Sequence, residues 1–193
     1  MNIRPLLVVV ALAGCASDAS DPPPGRDPIG PTDPAPGRRV RRLTADQFER
    51  SLEIATGQAW SKFGTYAEAL GRPDFGELTE EGTDLSVTFD KLVHDASREA
   101  CGKAVDRDRT TGDTVILREV VASDRDHAKY VANLKYLTMR FLGVEVEADD
   151  DARLAPWLGL LEAEPVPTTD VAMATRWKAV CVGLVTHPDF LTY

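Results

Sequence analysis

Beyond residue 43, apolar residues recur at three- and four-residue intervals in several separate stretches, the period of one face of an α-helix. Phe48, Leu52 and Ala55 form the first stripe, and Trp60, Phe63, Ala67 and Leu70 the second. Leu85, Phe89, Leu92, Val93, Ala96, Ala100 and Ala104 extend over more than five turns and predict a long central helix. Val131, Leu134, Leu137, Phe141 and Leu142 make another, and Leu154, Trp157, Leu158 and Leu161 a shorter one. Val171, Ala174, Trp177, Cys181, Leu184 and Val185 line the last. Val115-Ile116-Leu117 is too short to settle between helix and strand. With no convincing alternating strand, the pattern predicts an all-α fold, an irregular bundle of five or six helices. The stripes and connections vary in length without a fixed period, which argues against a repeat array.

Local signals sharpen the boundaries. Thr44 and Gln47 have the spacing of a capping box, with Leu43 and Phe48 as its hydrophobic staple, so a helix should start at Thr44 and end at Gly57. Gly71-Arg72-Pro73 closes the second stripe, and residues 73–83 read as a loop. The charged run 106–114 reads as a polar loop, and Ser123 as the N-cap of the next helix, which Gly143 ends. Pro156 should kink or restart the fifth stripe, and Pro188 should stop the last.

The first fourteen residues are different: one positive charge at Arg4, a short apolar stretch, then small residues, as in a signal peptide. Leu12-Ala13-Gly14-Cys15 resembles the lipobox of bacterial lipoproteins. That resemblance implies cleavage before Cys15, lipid on its thiol, and, with Ala16 rather than Asp next, sorting to the outer membrane. Seven of the fifteen residues from Pro22 to Pro36 are proline, a composition that suits an extended spacer; Pro28-Ile29-Gly30-Pro31 also fits a Pro-x-x-Pro ligand, the lesser reading. Arg38, Arg39, Arg41 and Arg42 follow; attraction to an acidic domain surface explains them better than contact with anionic headgroups. The expected organisation is a signal peptide over 1–14, a lipidated proline-rich tether over 15–42, and a helical domain over 43–193.

Charge narrows the partners. The chain carries −9 in all; residues 1–14 carry +1, residues 15–37 carry −3 and residues 38–42 carry +4, which leaves −11 on residues 43–193. Such a domain repels phosphate backbones, so no nucleic-acid partner is expected. Past residue 14 no apolar run approaches the ~20 residues of a membrane-spanning helix. The membrane partner is then the bilayer reached through lipid on Cys15. With Cys15 assigned to lipid, Cys101 and Cys181 remain, on two predicted core helices of an exported chain, where a disulfide would persist. Two separate buried thiols are the alternative.

Candidate chemistry is sparse. His94, His127 and His187 stand apart, without the one-turn pairing of a zinc protease. Neither Gly-x-Ser-x-Gly nor a phosphate loop is present. His94 and Asp95 diverge as helix neighbours, and His187 suits a helix end. Asp106, Asp108 and Asp113 offer oxygens for calcium but not at EF-hand spacing. Glu145, Glu147, Asp149, Asp150 and Asp151 read as helix N-terminal charge and solvated surface. No catalytic residue, metal site or cofactor is assigned, and no Cys-x-x-Cys-His supports a haem.

Arg41-Arg42-Leu43-Thr44-Ala45-Asp46-Gln47-Phe48 and the segment Val180-Cys181-Val182-Gly183-Leu184-Val185-Thr186-His187-Pro188-Asp189-Phe190-Leu191 together resemble domains of unknown function that accompany c-type cytochrome modules in planctomycete and myxobacterial surface proteins. Those families open on an Arg-Leu-Thr helix start and close on a helix followed by a Ser/His-Pro-Glu/Asp-Phe turn. The resemblance implies a helical envelope domain and carries over no catalytic residue. The expected function is that of a non-enzymatic envelope lipoprotein whose domain binds an unknown exported protein or supports a surface complex. A haem-less accessory role beside a cytochrome, and an uncharted enzyme or small-molecule binder, are the alternatives.

Overall fold

A computed structural model describes residues 41–73, 82 and 86–193. Cys15, Arg38, Arg39, Leu85 and most of the expected loop 73–83 lie outside the described residues. Among the described residues the chain forms seven helices and no strand: α1 Ala45–Thr56, α2 Phe63–Tyr66, α3 Val87–Thr111, α4 His127–Leu142, α5 Ala155–Glu162, α6 Asp170–Val185 and α7 Pro188–Leu191. The fold is the expected irregular all-α bundle. The count exceeds five or six because α2 and α7 are single turns of four residues.

Helix α1 starts where its side chains make it start. Thr44 Oγ1 accepts the Gln47 N–H at 3.3 Å, and Gln47 Oε1 accepts the Thr44 N–H at 3.0 Å. Together they satisfy two donors that a helix start leaves open. Gly57, at φ +67°, ends the helix and returns its N–H to Glu53. The second stripe buries Trp60, Phe63, Ala67 and Leu70 as expected, but through turns around one helical turn. Gly64, Thr65 and Tyr66 are weak helix formers, and Trp60 is fixed by stacking on Tyr66, with ring centroids 5.7 Å apart.

Helix α3 runs further than expected. Residues 106–111, read as loop from their charge, are helical up to Gly112 at φ +72°. Each charge has a partner on the bundle: Asp106 pairs with Lys178 at 2.8 Å, and Arg107 donates to the Gly57 carbonyl at 3.2 Å. Asp108 turns inward, its side chain fully buried. Its Oδ2 accepts the N–H groups of Val115, Ile116 and Leu117, at 3.0 Å for the first and 2.8 Å for the last. From α4, the buried Asn133 takes the amides of Arg118 and Glu119 on Oδ1 and donates to the Ile116 carbonyl. Residues 115–119 are neither helix nor strand because two side chains supply their backbone partners.

Asp126, not Ser123, caps α4, its Oδ1 accepting the Ala128 N–H at 2.8 Å. Pro156 stands in the first turn of α5, where its missing N–H goes unused, so it opens the helix instead of kinking one. Thr169 caps α6, and the inward face begins at Met173 and Ala174. Val171, expected on that face, is 63% exposed. Helices α3 and α6 form the most extensive pair in the bundle. Cys101 and Cys181, both fully buried, are joined across it by a disulfide with Cα atoms 5.8 Å apart and a sequence separation of 80.

Arg42, assigned above to the tether, belongs to the folded domain. It is 5% exposed, with its guanidinium 4.0 Å from the centre of the Phe89 ring. It donates to the carbonyls of Leu43, Leu70 and Gly82. A buried guanidinium keeps its charge here because carbonyl oxygens and the ring face replace water. The backbone on either side pairs antiparallel with residues 191–193: Leu43 N–H to Leu191 O at 2.7 Å and Tyr193 N–H to Arg41 O at 2.9 Å.

Candidate functional site

The C-terminal turn of α4, the start of α5 and the turn between α6 and α7 enclose a mainly apolar cavity of about 350 Å³, lined by Thr138, Leu142, Val144, Arg153, Pro156, Trp157, His187 and Asp189. Its size is that of a small-ligand cleft, about 300–1,000 Å³. The local sequence explains the shape. Gly143, at φ +65°, turns the chain sharply after α4 and sets Val144 beside Leu142 on one wall. Trp157 forms another wall by lying directly on α6 at Gly183. A Cβ on Gly183 would stand 2.6 Å from the indole ring, so only glycine admits this contact. Phe141 and Phe190, with centroids 6.0 Å apart, hold α7 against α4.

The polar groups at the mouth are already engaged. Arg153 grips Asp151, with Nε on Oδ1 at 2.9 Å and Nη2 on Oδ2 at 2.6 Å, and its own N–H adds a third bond at 2.8 Å. The guanidinium, helped by that amide, holds the Asp151 carboxyl down at about 2. His187 Nδ1 accepts the Asp189 N–H at 3.2 Å, which caps α7. This histidine therefore opens the following turn rather than serving the end of α6. Thr138 donates its hydroxyl to the Leu134 carbonyl at 2.8 Å. Among the described residues no nucleophile, base and orienting group converge in the cavity.

The remaining sequence candidates are scattered. His94 lies on the surface of α3, 3.9 Å from Asp90, and His127 pairs with Glu162 across the exposed α4–α5 face. Asp106 and Asp108 serve the ion pair and the amide clamp already described, and Asp113 is exposed. Among the described residues no group of three or more His, Cys, Asp or Glu side chains is placed to hold a metal ion. In the acidic run, Lys135 pairs with Asp149 and lowers its carboxyl's pKa.

Sequence reasoning missed the cavity. Leu142 and Trp157 were legible as stripe residues, yet both are only partly buried, and the space they border comes from three segments distant in sequence. Gly183 inside the most apolar part of α6 was the one available signal, since a helix-interior glycine invites a close approach. Compared with known proteins, the chain matches no protein-family model, none of the curated proteins and no solved structure.

Proposed function

We propose that this chain is a non-enzymatic lipoprotein of the bacterial cell envelope, anchored through lipid on Cys15 in the outer membrane, whose helical domain binds another exported protein. One observation carries the binding reading: an apolar cavity with a fixed aromatic wall, whose polar rim is engaged in capping and ion pairing rather than aimed inward. Such a pocket suits an anchor side chain from a partner, the arrangement that dominates protein interfaces energetically. The anchoring rests on the resemblance of Leu12-Ala13-Gly14-Cys15 to a lipobox. No described helix is long and apolar enough to cross a membrane.

Site-specific photo-crosslinking in the cell envelope tests this. A photoreactive residue at Val144 should yield discrete crosslinked protein bands, with Arg50 and Asp113 as surface controls. Labelled fatty acid should enter the wild-type chain and not Cys15→Ser, which should also leave the membrane fraction. Absence of bands from every position would overturn partner binding, and equal labelling of both chains would overturn the anchor.

A further inference from the structure

A second hollow, of about 470 Å³, forms where the segment from Trp60 to Tyr66 lies on α3. Trp60, Lys62, Tyr66, Asp95, Arg98 and Glu99 line it, and none of them belongs to the cavity beside Trp157. Its aromatic wall is fixed: the Trp60 and Tyr66 rings lie within 12° of parallel, with Trp60 buried and Tyr66 38% exposed. Glu99 ties the segment to α3 by accepting the Ser61 N–H at 3.1 Å.

The two carboxylates of the lining are already held. Lys103 bonds Glu99 at 2.6 Å, and with the bond from Ser61 this keeps the Glu99 carboxyl at about 2. Lys91 bonds Asp95 at 2.6 Å and is the main cause of its lowered pKa; the charges of Arg98 and Lys62 add to it, which places both near that carboxylate. The two cations of the lining are not held in this way. Lys62 and Arg98, both exposed, make no ion pair or side-chain hydrogen bond with any described residue. With Lys91 and Lys103 counted, the hollow gathers four cations around two carboxylates, in a domain whose overall charge is strongly negative. Charge further away than about 10 Å is largely screened at ordinary salt, so the local excess decides what is attracted. A cationic ligand would be repelled, a neutral ring would leave Lys62 and Arg98 unused, and a bare inorganic anion would leave the aromatic wall unused. A ring that carries a carboxylate or phosphate uses both, because guanidinium binds such groups through two parallel hydrogen bonds and flat rings pack on aromatic faces.

We infer that the hollow between the Trp60–Tyr66 pair and α3 binds an organic oxyanion carried on a ring, with Arg98 and Lys62 on the anionic group and the aromatic pair against the ring. The site is separate from the partner cavity and does not rest on it.

The test follows the tryptophan indole N–H signals of the full chain by NMR, with Trp60 assigned through Trp60→Phe. Glucuronate, benzoate and phenyl phosphate are the probes, and at least one should shift the Trp60 signal saturably. Methyl glucoside, benzyl alcohol and acetate, which lack the charge or the ring, should each bind about tenfold more weakly or less. The strongest probe identifies the source: glucuronate an acidic sugar, benzoate an aromatic acid, phenyl phosphate a phosphate ester. Lys62→Gln with Arg98→Gln should weaken that probe about tenfold or more, while the surface control Arg50→Gln leaves it unchanged. The Trp157 and Trp177 signals report that each variant is folded. Raising the salt to about 0.5 M should weaken the charged probe more than its neutral counterpart. No saturable shift with any of the three probes would overturn the inference, as would equal binding of the neutral rings or of acetate, or a shift that survives loss of both cations.

Discussion

One buried carboxylate organises a whole loop. Asp108 Oδ2 accepts three consecutive backbone amides, 115 to 117, while its Oδ1 has no hydrogen-bond partner and lies 3.7 Å from Arg107 Nη2. Asp108→Ala would leave those amides without acceptors in a buried place, at a penalty of about 1–3 kcal/mol each before relaxation. The expected loss is about 3 kcal/mol, read from the urea midpoint at unchanged m-value. Asp108→Asn keeps one acceptor oxygen and should lose about half as much. A loss below about 1 kcal/mol for the alanine variant would show that the loop has other support. This role was not legible in the sequence. Asp108 sits in a charged run whose composition reads as solvated loop, and its partners lie seven to nine residues away in a segment with no regular structure of its own. Asn133, which completes the clamp, looks like any polar residue in a helix until Arg118 and Glu119 are placed against it.

At the level of elements, legibility followed how local the determinants are. The Thr44 capping box and the glycine ends at 57 and 143 depend on residues within one turn, and the structure forms all three as the sequence indicates. The apolar stripes of α3, α4 and α6 are equally local, and their described members are buried apart from Leu142, which is half-buried, and Val171, which precedes the inward face. What failed to show were contacts between elements: the extension of α3 to Thr111, the burial of Arg42, and the space beside Trp157. Gly183 makes the last of these testable. Gly183→Ala would drive a methyl into the indole and should tilt Trp157 off α6, costing about 1–3 kcal/mol through overpacking. Trp157 should then become more accessible to a fluorescence quencher, relative to a Trp157→Phe background, while the helical circular dichroism persists. Unchanged quenching would mean that α5 moves as a body instead.

For the molecule as a whole, the disulfide adds to stability by constraining the unfolded chain. Linking Cys101 to Cys181 closes a loop of 80 residues, which constrains the unfolded chain by about 4 kcal/mol in the loop-entropy account. Reduction should lower the melting temperature by about 10 °C, and unfolding without reductant should expose neither Cys101 nor Cys181 to a thiol reagent. Two reactive thiols at these positions in unreduced protein would contradict the bond. The pairing of residues 41–43 with 191–193 bears on a different quantity, the response to force. Tension passed along the chain into residue 41 meets this short antiparallel pair before it meets any helix. Its hydrogen bonds would be peeled in sequence, from Tyr193 toward Leu191, and between the two ends stands the Arg42 guanidinium fastened to the Leu70 and Gly82 carbonyls. The pair and that side chain act as a mechanical fuse: they are the first contacts to yield, ahead of α1 and the disulfide-linked core behind them.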